Sequence, residues 1–210
     1  MGKPKRNRDR KPARGKPYRD PKPISLIITE GENTEPEYLS GFKKVYKNSR
    51  VDIEFGGEGV TAPMSLVQRA KEKKKAAEKQ AKREKDDNLK YDEVWCVFDV
   101  DEHLKIPDAK QMARDNDIKF VISNPCFEIW LWLHFAEQPG IQDRHKLQKK
   151  MKKHISKYDK HVNYADYQDG YEKAVKRAQR LSEDAFSDKE EEVNPSTSVW
   201  ILTENIRENA

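Results

Sequence analysis

Long apolar runs are missing from this 210-residue chain. None approaches the ~18–20 residues that a membrane span needs. No apolar h-region opens the N-terminus, so a secretory signal peptide is not expected there. Cysteine is scarce. Cys96 and Cys126 both lie in apolar surroundings, which argues against a disulfide framework and fits a reducing compartment. Metal-binding Cys/His spacing is absent, because His145, His154 and His161 are scattered. Neither G-x-x-x-x-G-K-S/T nor G-x-S-x-G occurs. These absences lead us to expect a soluble cytoplasmic protein without a membrane role. Apolar residues are few overall, 35% of the chain against 38% charged, so a narrow core under a heavily charged surface is expected.

The charge that is present is unevenly placed. Residues 1–23 hold ten Lys/Arg against Asp9 and Asp20, a balance of +8; the whole chain is +5, which leaves −3 for the remainder. With five prolines and no apolar period, this segment reads as a disordered arm. Its role is either an electrostatic grip on nucleic acid or that of a solubilising tail.

Order begins at ISLIIT, 24–29, a β-branched run that reads as a buried strand. A helix follows to about Asn48, then the alternating strand VDIEF at 51–55. GGEGVTAP, 56–63, reads as a strand–helix turn or a phosphate cradle. Thr61 can cap a helix opening at Ala62–Pro63, whose later half is polar all round and is expected to project into water. YDEVWCVF, PDAKQMARDND, IKFVIS and PCFEIWLWLHF continue as strand, helix, strand, helix. Such alternation argues an α/β fold with a four-stranded parallel sheet flanked by helices. We expect this core to span 24–140. The rest, 141–210, reads as a helical extension packing on it, with helices near 142–157, 165–186 and 196–206. On the first of these, Leu147, Met151 and Ile155 form an apolar stripe. Arg144, Lys146, Lys149, Lys150, Lys152 and Lys153 form its other face, either a solvated surface or one that meets phosphate.

In open parallel sheets, sites form at the carboxyl ends of strands, and two strands here end in acids. The first runs into Glu30-Gly31-Glu32, the third into Asp99-Val100-Asp101. If those strands are neighbours, Glu30, Asp99 and Asp101 converge. Asp99 and Asp101 are two apart, so extended backbone sets them on one side. Hard carboxylate oxygens suit Mg²⁺ or Mn²⁺. Thr34-Glu35-Pro36-Glu37 fits a capping box, which makes Glu35 and Glu37 helix-start residues. Glu102 and His103 read as loop residues.

In SNPCFEIWLWLHF, Asn124 can cap and Pro125 suits the first helical position. Glu128 then lies in the opening turns of a very apolar helix. It is either a carboxylate favoured by the helix dipole or a fourth acid of the site. Trp130, Leu131, Trp132 and Leu133 read as core, His134 as structural, and Cys126 as an inert small hydrophobe.

ISLIITEGENTEPEY, VWCVFDVDEH, FVISNPCFEIWLWLHF and NPSTSVWILTE resemble, in order, the signature blocks of the RloB-like family. The resemblance covers about residues 24–205, and N-P-x-F-E-x-W-L-x-x-H-F is its most specific part. It departs from the expected pattern at Trp200, where a His would stand. The resemblance implies a Toprim-like fold, an abortive-infection or phage-defence role, and a metal site at Glu30, Asp99 and Asp101. It also implies an SMC/ABC-like AAA ATPase partner encoded beside the gene. The expectation is a metal-dependent nuclease acting on DNA or tRNA, with Glu30, Asp99, Asp101 and Glu128 as its site. The rival is a module that grips nucleic acid or the ATPase without cutting, since His103 stands where topoisomerases carry the third acid of D-x-D-x-E. Metal-dependent processing of free nucleotides is a third reading. Oligomeric state, including a homo-oligomer, is left open.

Overall fold

A computed structural model describes residues 22–57, 62–100, 106–187 and 193–210. The basic arm up to residue 21, residues 58–61 of GGEGVTAP, and Asp101, Glu102 and His103 lie outside the described residues. The elements run β1 (Ser25–Thr29), α1 (Thr34–Val45), β2 (Val51–Phe55), α2 (Pro63–Glu84) and β3 (Glu93–Asp99). They continue α3 (Ile106–Asp115), β4 (Lys119–Asn124), α4 (Glu128–Leu133), α5 (Arg144–Met151), α6 (Tyr171–Ser187), β5 (Ser196–Thr197) and α7 (Val199–Glu208). No helix among the described residues is long and apolar enough to cross a membrane.

The sheet has five strands in the order β2-β1-β3-β4-β5. β1 through β4 are parallel, and β5 joins antiparallel to β4. The expectation of four strands is therefore corrected. β5 falls inside a stretch read as helix, 196–206, which opens as a strand and becomes helical only at Val199. Ser-Thr-Ser carries no apolar alternation, so nothing in it reads as a strand. Its pairing is polar. Ser198 N–H donates to the Ile122 carbonyl at 2.9 Å, and the Ser123 and Thr197 hydroxyls bond at 2.9 Å. An exposed edge of β4 is thereby satisfied.

Alternation along the strands builds two apolar layers. Leu26, Ile28, Val94, Cys96 and Phe98 face α2 and α3. Ile27, Trp95, Val97 and Val121 face α1, α4, α6 and α7. The second layer is rich in rings. Tyr38 meets Phe127, Trp130, Tyr164 and Tyr167 edge-on at 5.2–6.2 Å between centroids. Its hydroxyl pairs with His134 Nε2 at 3.0 Å, and His134 Nδ1 lies 2.9 Å from the Trp130 carbonyl. Nδ1 thus donates to the carbonyl and Nε2 accepts from Tyr38. Burial holds His134 down at about 4.

Two helix starts differ from the sequence reading. β4 runs through Asn124, the Asn124–Pro125 bond is cis, and α4 begins only at Glu128. Asn33, not Thr34, precedes α1, and the Thr34 hydroxyl donates to the Lys160 carbonyl at 2.8 Å. Glu37 does not close a capping box; it accepts from Val162 N–H at 2.6 Å and pairs with His161 Nδ1 at 2.8 Å. The segment after α5 captures both side chains, which sequence spacing alone cannot anticipate.

Candidate functional site

β1 and β3 are hydrogen-bonded neighbours in parallel register, with Thr29 opposite Val97. Glu30 follows at once, its N–H donating to the Val97 carbonyl at 2.9 Å. Its Oε2 lies 3.4 Å from the Asp99 nitrogen. Two more acids arrive from helices. Glu35 sits in the first turn of α1, and Glu128 is the first residue of α4. Asp99, Glu35 and Glu128 are 7%, 5% and 3% exposed. With Gly31, Arg144 and Lys160 they line a cavity of about 170 Å³. The Glu35 carboxyl packs where a Cβ on Gly31 would stand, so a side chain at 31 would displace that carboxyl.

Packing several carboxylates under cover makes their ionisation unfavourable. Glu35 is pushed from its ordinary 4.5 up to about 7, first by burial and then by the charges of Glu128 and Glu30. Asp99 is raised as well, by burial and then by Glu35 and Glu128, while Arg144 opposes the rise. The Arg144 Nη2 donates to Asp99 Oδ2 at 2.8 Å. Glu128 Oε1 accepts the buried Tyr158 hydroxyl at 2.9 Å, which fixes one face of its carboxylate. The neighbouring Cys126 thiol is pushed up by burial and by Glu128 and Asp99, so it is no nucleophile.

The structure thus brings Glu30, Asp99 and Glu128 to one rim of the sheet, while Asp101 lies outside the described residues. Glu35 and Arg144 were missed by sequence reasoning. The sequence places Glu35 in a capping box and Arg144 on a helix face that is either solvated or turned to phosphate, neither of them beside these acids. A signal for both existed. Glu35 shares its helical face with the buried Tyr38, Leu39 and Phe42, and Arg144 shares one with Leu147 and Met151.

A hard divalent cation suits this donor set chemically. All four acids offer oxygen, and positive charge would relieve the mutual repulsion that raises Glu35 and Asp99. Among the described residues, no group of three or more acids, histidines or cysteines is yet spaced to hold a metal ion. Arg144 supplies the positive charge at Asp99 instead.

The family model described as RloB-like protein matches residues 25–206, and the chain belongs to that family. No curated protein and no solved structure matches it.

Proposed function

We propose that this RloB-like protein has a Toprim-like core and acts as a Mg²⁺- or Mn²⁺-dependent nuclease, the effector of a phage-defence system. The observation that carries the reading is the convergence of Glu30, Glu35, Asp99 and Glu128 where β1 and β3 end side by side. Arg144 is bonded to Asp99 at the edge of this cluster.

Asp99 and Glu30, together with Asp101, would hold the cation. When bound, it would supply Lewis-acid stabilisation of charge on a scissile phosphate. The chain's own groups divide the remaining work. Glu35, at about 7, is poised to take a proton from an attacking water near neutral pH. Tyr158 holds one carboxylate oxygen of Glu128, a residue that lines the cavity. Arg144, released from Asp99, would meet a phosphate oxygen with a planar, two-donor fork.

One observation favours the rival binding module: the Arg144–Asp99 pair occupies the seat that a cation would need. A cleavage assay separates the two. Full-length protein is incubated with tRNA and with plasmid DNA in Mg²⁺ or Mn²⁺, with and without the ATPase of its locus. The nuclease reading predicts cleavage that Asp99→Asn lowers by on the order of 10²–10³. Binding without cleavage under every condition would establish the module.

A further inference from the structure

α5 differs from every other described helix in its charge. From Arg144 to Lys157 the chain carries Arg144, Lys146, Lys149, Lys150, Lys152, Lys153 and Lys157 and no Asp or Glu. α2, by contrast, interleaves its bases with Glu72, Glu78 and Glu84. Like charges at i, i+3 and i+4 weaken a helix, so Lys146 repels Lys149 and Lys150 within α5. Lys146 pairs with Asp143 at 3.1 Å. Lys149, Lys152 and Lys153 are exposed and make no ion pair among the described residues. A remainder that is net −3 outside the arm makes this single-sign stretch still more unusual.

Its position matters as much as its charge. Leu147 and Met151 bury one side of α5, and Arg144 and Gln148 line the acidic cavity. Arg144, Gln148 and Lys152 recur every four residues, so they form one row along the helix. That row starts beside Asp99 and runs outward to the lysines. Eight helical residues extend ~12 Å, the length of about three phosphates on one duplex strand at ~3.4 Å each.

We infer that the basic face of α5, continued by Lys152 and Lys153 just past its end, is a phosphate-backbone track that leads a nucleic-acid strand to the carboxylate cavity. This deepens, and rests on, the reading of that cavity as one acting on phosphodiesters. Recognition is of the backbone, with no base read by lysines that lie on an open helix face.

The test is the salt dependence of binding by the full chain in an Asp99→Asn background, with EDTA present, which suppresses turnover. Fluorescence anisotropy is recorded with a labelled oligodeoxynucleotide and an oligoribonucleotide of equal length at about 50 to 200 mM KCl, where the Debye length is on the order of 10 Å. Each lost phosphate contact lowers the slope of log K against log salt by ~0.7 on a single strand, so K149Q/K152Q/K153Q should lower it by about 2. K149R/K152R/K153R should keep the parental slope, which separates lost charge from lost folding. A larger effect on one oligonucleotide identifies the sugar preferred. An unchanged slope and affinity in the Gln variant overturns the track, even if wild-type protein cleaves. A slope lowered by about 2 without any wild-type cleavage upholds the track and removes the nuclease reading. Slopes lowered equally in the Gln and Arg variants also overturn it.

Discussion

Glu35 concentrates the physical tension of the site. A carboxyl at about 7 is neutral much of the time near neutral pH, whereas its unfolded counterpart ionises at 4.5. A pKa raised by folding contributes stability that is fully present below the unfolded value and lost as pH rises through the folded one. Glu35 should therefore weaken the fold progressively between pH 4.5 and 7 when no divalent cation is present. Glu35→Gln cannot ionise and escapes that loss. In urea unfolding with EDTA, the stability of the variant relative to wild type should rise between pH 5 and pH 8 by roughly 1–3 kcal/mol. A pH-independent difference would show that Glu35 is not held protonated. Legibility at this scale was uneven. Glu30 and Asp99 could be found because strand ends are read directly from where an apolar run stops. Glu35 was hidden because a capping box explained it locally, although its i+3, i+4 and i+7 neighbours pointed inward.

At the scale of elements, α4 is the hub. Its six residues Glu128–Leu133 are all buried, and they place an acid on the cavity at one end and Trp130 in the aromatic layer along its length. Trp130 also meets His134 and Tyr171 edge-on at 4.9 and 6.2 Å. Trp130→Ala should cost about 3–5 kcal/mol in denaturant unfolding. A cost below 1 kcal/mol would mean that the α4 layer collapses without loss. The apolar character of this helix was plain in its composition, and so was the strand–helix alternation before it. Its first residue was not, because Asn-Pro looks like a helix start while the edge of β4 keeps Asn124 in the sheet. β5 was illegible for a related reason. Two polar residues become a strand only when an open edge recruits them, and that edge belongs to a segment more than 70 residues away.

Across the whole molecule, charge is sorted by place. Acids gather where β1 and β3 end, bases line the helix beside them, and the N-terminal segment adds +8. The sheet order brings the first and third strands together, so residues 69 apart in sequence share one rim. Parallel order was legible from alternation alone, since crossover helices leave few other solutions. The counter-charge was not, because Arg144 reaches Asp99 from a helix 45 residues on. The central claim is that these carboxylates share a divalent cation. Mn²⁺ titration followed by the electron paramagnetic resonance signal of the free ion tests it without relying on activity. Wild-type protein at pH 8 should remove the free-ion signal, and Asp99→Asn should weaken binding by ~10-fold or more, at least the loss typical of disturbing a ligand's surroundings. Equal Mn²⁺ binding by both proteins, or none by the wild type, would contradict a shared cation at Asp99.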